Sequence, residues 1–117
     1  MTNQNKILFQ FSEAIITLDD TIDQLSEELE EAEFVLKTAP LMQRREKLKD
    51  EFIRLSAAAL KSWQSDTAAL LKEFETCNAE LTLKTERLQQ TIKTIDKINN
   101  IMSYIDQIIK LAANIAV

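Results

Sequence analysis

A chain of 117 residues with no glycine and one proline has few ways to turn. Tight turns draw on glycine for positive φ and on proline for a preset φ, and a sheet protein needs many of them. Their near absence restricts the chain to a few long helices. With 45% hydrophobic and 28% charged residues, it has enough apolar surface for a core and is not a disordered tail. Its length suits one domain.

The first arm shows the clearest pattern. Leu8, Phe11, Ile15, Leu18, Ile22, Leu25, Leu29, Ala32 and Leu36 alternate spacings of three and four, the seam of a left-handed coiled coil. Pro40 suits the first turn of a new helix, with Thr38 as its cap. A helix–helix turn is therefore expected at 38–40. Leu41, Arg45, Leu48, Phe52, Leu55 and Ala59 continue the rhythm beyond it. An antiparallel hairpin folded there sets Leu36 against Leu41 and Leu25 against Phe52. Charge agrees with that register. Residues 1–37 carry nine acidic and two basic groups, and residues 38–62 carry six basic and three acidic. The fold would lay "EELEEAE" (27–33) beside "RREKLK" (44–49).

After Ala59 the rhythm changes. Phe52, Trp63 and Phe74 recur every eleven residues, as do Ala59, Leu70 and Leu81. That period favours a straight or slightly right-handed seam and a helix continuing through Trp63. The last third has one stripe at Leu81, Leu88, Ile92, Ile95, Met102, Ile105, Ile109 and Ala112. A second runs through Ile98, Ile101, Ile105, Ile108, Leu111 and Ile115. A helix apolar over most of its circumference is covered on more than one side. Weak breaks are offered by "ETCNAEL" around Asn78 and by Asn99–Asn100. The expected fold is one all-α domain, a long antiparallel helical hairpin or a three-helix coiled-coil-like bundle. Its helices would span about 5–37 and about 40–76, the second continuing or breaking into a third over about 79–116.

The residue inventory excludes most chemistry. A net charge of −5 argues against nucleic acid, whose phosphates need a basic face. With no histidine and no glycine, neither a catalytic triad nor a phosphate-cradling loop can be built. "DDTID" at Asp19–Asp23 has the form of a magnesium-diphosphate motif, yet Ile22 within it belongs to the seam, and a solvated acidic face is the simpler reading. Glu27, Glu30 and Glu31 share one helical face, where pairing to the basic helix explains them. Cys77 lacks an internal disulfide partner and reads as a small apolar residue. No enzyme activity, cofactor or metal is expected. The N-terminus lacks a signal-peptide pattern, and no stretch reaches about 18 uncharged apolar residues. The expected location is the cytoplasm. "INNIMSYIDQIIKLAANIAV" carries only Lys110 as a base, which Asp106 four residues before it can pair, and this argues against a membrane-surface role.

Trp63-Gln64-Ser65, followed by Asp66 and the run Leu70, Leu71 and Phe74, resembles the Trp-x-Gly region of WXG100-type proteins of Gram-positive type VII secretion. It also resembles the small helical companions of that system's toxins. Ser65 stands where the family has glycine. The family's export pattern, a tyrosine with an acidic residue four positions on, would begin at Tyr104 and meets Ile108. The resemblance therefore implies a cytosolic companion rather than an exported substrate.

The reading that follows is a non-enzymatic adaptor or targeting chaperone binding helices of a partner protein, such as a type VII toxin. Phe52, Trp63, Asp66, Phe74, Ile101, Ile105, Ile108 and Leu111 are its candidate contact residues. The alternative is self-association into a homodimeric helical bundle. A membrane-active protein comes third.

Overall fold

The structure, a computed structural model, describes residues 2–58, 63–88 and 94–116. Ala59 and Ile92, and the side chains of Leu88 and Ile95, lie outside the described residues. The described residues form four helices and no strand: α1 (Asn3–Glu28), α2 (Glu31–Ala57), α3 (Thr67–Leu88) and α4 (Thr94–Ala113). The all-α expectation holds, and the chain breaks once more than a three-helix bundle requires.

The first turn falls at Leu29–Glu30, not at 38–40. Both residues are extended, with φ/ψ of −112/148 and −66/154. Each closes one helix. Leu29 N–H donates to the Leu25 carbonyl at 3.0 Å, and Phe34 N–H donates to the Glu30 carbonyl at 2.8 Å. Charge explains the break. Glu27, Glu28, Glu30, Glu31 and Glu33 would repel at i+3 and i+4 in an unbroken helix. Breaking there instead puts Glu31 and Glu33 in the first turn of α2, where the helix dipole favours carboxylates. Leu36, the expected end of the first seam, becomes an exposed residue of α2.

Pro40 consequently sits inside α2. It offers no N–H to the carbonyl of Leu36, but that residue is exposed, so water can take the missing bond. Thr38 is buried rather than a cap, and its hydroxyl donates to the Phe34 carbonyl. The register shifts with the turn. Arg45 meets Asp19, Nε to Oδ1 at 2.6 Å and Nη2 to Oδ2 at 3.3 Å, rather than the acidic run 27–33. That hydrogen bond, with Asp19's charge, holds the Arg45 guanidinium more firmly protonated than usual.

The helices form a ring in the order α1, α2, α4, α3. α1 and α4 barely approach each other, and α2 and α3 stand diagonally, with no close approach of their backbones among the described residues. α1 and α3 run parallel, as Asn3 paired with Thr67 and Gln10 with Asn78 show. α2 and α4 run parallel too. Arg44 binds Asp106 through both oxygens, at 2.9 and 3.2 Å, and Arg54 donates to the Ala112 carbonyl at 2.8 Å. Arg54 thus places a cation at the negative end of α4.

One core fills the ring. α1 gives Phe11, Leu18 and Leu25, α2 gives Leu41, Leu48 and Leu55, and α3 gives Phe74 and Leu81. α4 adds Ile98, Ile101, Ile105, Ile108 and Ala112. The over-apolar character of the last segment is therefore answered inside the chain. The molecule measures 47 × 23 × 20 Å. No described helix is long and apolar enough to cross a membrane.

Candidate functional site

The structure gives the candidate contact residues several different settings. Phe52, Trp63 and Phe74 do not form one stripe. Phe52 lies half-buried on α2, Phe74 is buried on α3, and Trp63 lies in the connection before α3. Helix α2 stops at Ala57, and Trp63–Asp66 is not helical, so the continuous helix expected through Trp63 is absent. α3 and α4, by contrast, run unbroken through Asn78 and through Asn99–Asn100.

Trp63 belongs to the core, with 7% of its surface exposed. It sits at the end of the bundle, beside a small pocket shared with Thr2, Asn3, Gln4, Ser65 and Thr67. The segment behind it is clasped from both sides. Gln64 N–H donates to the Ala116 carbonyl, and Ala116 N–H donates to Ser65 Oγ, each at 2.9 Å. Asp66 has a defined local task. Its Oδ1 accepts from Ala68 and Ala69 N–H at 3.1 and 3.2 Å, so it caps α3 in the manner of an acidic N-cap.

The indole Nε1 of Trp63 is buried with no acceptor. Removing it therefore breaks no hydrogen bond. Trp63→Ala is expected to cost about 3–5 kcal/mol through the cavity it leaves. Trp63→Phe should cost about 1 kcal/mol, the smaller ring leaving a smaller void. Urea titrations of the two variants provide the check. Equal losses would show that the N–H carries a bond.

Phe74 packs on Phe11 with ring centroids 5.2 Å apart and planes tilted by 47°, a favourable aromatic geometry. Ile101, Ile105 and Ile108 are buried in the core. A helix laid against the folded bundle does not reach Trp63, Phe74 or these three isoleucines. Phe52 and Leu111 are half-buried and Asp66 is exposed. Leu111 lines a groove of about 710 Å³ between α3 and α4, with Ala69, Lys72, Cys77, Gln107 and Lys110.

Cys77 is half-buried, with Sγ 3.8 Å from Gln107 Oε1. Burial pushes the thiol pKa up, and Glu80 and Glu73 push it further. A thiol held protonated is a poor nucleophile. Of the "DDTID" acids, Asp19 is taken by Arg45 while Asp20 and Asp23 face solvent. Glu27, Glu30 and Glu31 straddle the first turn and share no helical face. Among the described residues, no group of three or more acidic, cysteine or histidine side chains is placed to hold a metal ion.

The open apolar surface lies elsewhere. Phe9, Ile16, Val35, Met42, Ile53 and Leu83 are large and exposed. Phe9 and Ile16 lie seven residues apart on the outward side of α1, and Val35 and Met42 repeat that spacing on α2. The signal was present in the sequence as a second i, i+7 pattern, outweighed by the stronger core seam on each helix. No protein-family model, curated protein or solved structure matches the chain.

Proposed function

We propose that this protein is a non-enzymatic helical adaptor, or targeting chaperone, which binds helices of a partner protein on the outside of its folded bundle. The observation that carries the reading is the exposed apolar set at heptad spacing: Phe9 with Ile16, and Val35 with Met42. Single exposed apolar side chains are ordinary. Two pairs at i, i+7, on a bundle whose core is already filled, suit helix-on-helix contact. The resemblance around Trp63-Gln64-Ser65 makes the helical targeting domain of a type VII toxin the client of choice, and the cytoplasm the place of meeting. Self-assembly is the weaker reading. The C-terminal stripes that would close a homodimeric bundle are covered by the chain's own helices.

The test is capture from the native host with tagged protein, read by mass spectrometry of the soluble fraction. Phe9→Ser/Ile16→Ser and Val35→Ser/Met42→Ser are run beside the parent. One stoichiometric helical partner is expected, its recovery falling about tenfold in at least one double variant. Melting should stay within about 0.5 kcal/mol of the parent, because these side chains are exposed. Bait alone, at a defined oligomer mass, would replace the adaptor with self-assembly. A partner retained equally by both double variants would remove the exposed-face argument.

A further inference from the structure

We infer that the groove between α1 and α3 is the docking site for a basic amphipathic helix of the partner, an inference that rests on the adaptor reading and gives its client a chemistry. The groove encloses about 470 Å³ and is lined by Phe9, Glu13, Glu75, Asn78, Ala79 and Leu83, among others. Two parallel neighbouring helices present a furrow into which a third helix packs by ridges and grooves. Phe9 on one wall is 53% exposed, and Leu83 on the other is 49% exposed. Ile16, also 53% exposed, extends the apolar line two turns along α1, about 10.5 Å from Phe9. An incoming helix with apolar residues at i and i+7 matches that spacing.

Charge selects the kind of helix. Glu13 and Glu75 line the groove, and none of its lining residues is basic. The outward stripe of α1 continues through Asp20, Asp23 and Glu27, all exposed. Over Asn3–Glu28 there is one base, Lys6, against six acids. A second copy entering through the same face would set carboxylates against carboxylates, which disfavours a symmetric dimer there. Lysine or arginine flanking an apolar stripe complements it.

The floor of the groove adds an independent observation. Asn78 is 8% exposed. Its Nδ2 donates to the carbonyl and to Oε1 of Gln10, both at 2.8 Å, while its Oδ1 is buried with no donor. A buried acceptor left unpaired is costly. It lies below the surface of the groove, so an incoming donor meets it only where the Asn78 side chain turns outward on docking.

Two fluorescent amphipathic peptides test the assignment against the full chain by anisotropy. They share an apolar i, i+3, i+4, i+7 stripe; one is flanked by lysine and the other by glutamate. The lysine peptide is expected to bind at least about tenfold tighter at low salt, its advantage shrinking as salt screens the carboxylates. Glu13→Lys/Glu75→Lys should reverse the preference. Phe9→Ser/Leu83→Ser should weaken both peptides about tenfold. All four residues are exposed, and circular dichroism should show parental helicity. Equal binding of the two peptides, no binding, or indifference to the groove variants would overturn the assignment. So would a concentration-dependent oligomer dissolved by Phe9→Ser, which would make the groove a contact between copies. If the lysine peptide fails while host capture still depends on Val35 and Met42, the adaptor reading stands and only this groove is lost. If host capture also yields bait alone, both fall.

Discussion

Ile105→Asp is expected to unfold the protein rather than merely block a partner. Ile105 is fully buried on α4, within the core that α4 completes between α2 and α3. The substitution removes a branched apolar side chain, worth several kcal/mol in itself when truncated. It also buries a carboxylate, and no base stands among the core residues to pair it. The combined loss is on the order of 5 kcal/mol or more, comparable to the whole stability of a domain this size. Far-UV circular dichroism at 25 °C should show most of the helical signal gone. Ile105→Val, which removes one methylene, should cost only about 1 kcal/mol and keep the fold. A cooperative melt of Ile105→Asp close to the parent's would refute the placement of α4 in the core. It follows that failed partner binding by this variant says nothing about an interface. The exposed side chains Phe9, Ile16, Val35 and Met42 are the informative ones.

Pro40→Ala is expected to stabilise. A proline inside a helix costs about 3 kcal/mol relative to alanine. Some of that is returned because proline also restricts the unfolded chain, by about 0.4–1 kcal/mol. The net expectation is a gain of about 2 kcal/mol, or a rise in Tm of roughly 8 °C. A shift of the urea midpoint with unchanged slope would show that compactness is the same. The experiment also decides where the first hairpin turns. Were the turn at 38–40, with Pro40 opening the second helix, alanine would remove a favourable first-turn residue and give no gain. A neutral or destabilising result would therefore move the turn away from Leu29–Glu30.

These two sites mark what sequence reasoning could and could not see. The restriction to helices followed directly from the missing glycines. The α1 seam was legible in part: Phe11, Leu18 and Leu25 are deep, but the buried positions between them are Ile7, Ala14 and Thr21, while Leu8, Ile15, Ile22 and Leu29 are only partly buried beside them. The doubled stripe from Ile98 to Ile115 meant cover on more than one side, and α4 has that cover. The first turn was hidden because two ordinary residues make it in extended backbone, with neither glycine nor proline to mark it. Pro40 misled because a helix tolerates proline where the orphaned carbonyl belongs to an exposed residue. The eleven-residue recurrence of Phe52, Trp63 and Phe74 joined side chains from two helices and the link between them. The contact candidates were hard to separate from core for a physical reason. A large apolar side chain at helical spacing is equally suited to its own bundle and to a partner's helix. Only the closed ring of four helices shows that Ile101, Ile105 and Ile108 are already covered while Phe9 and Ile16 are not.

The diagonal placement of α2 and α3 has a consequence for the order in which the chain becomes a protein. Among the described residues their backbones do not approach each other closely, and both α1 and α4 bridge them, α4 being the last of the four to be synthesised. Until α4 arrives, Leu41, Leu48, Phe74 and Leu81 line a trough open along one side. The clasp between Ala116 and Gln64–Ser65 ties the segment just beyond that helix to the link before α3. A chain in which α1, α2 and α3 had already packed would therefore present an apolar furrow of its own, and the helix that fills it is the chain's own α4.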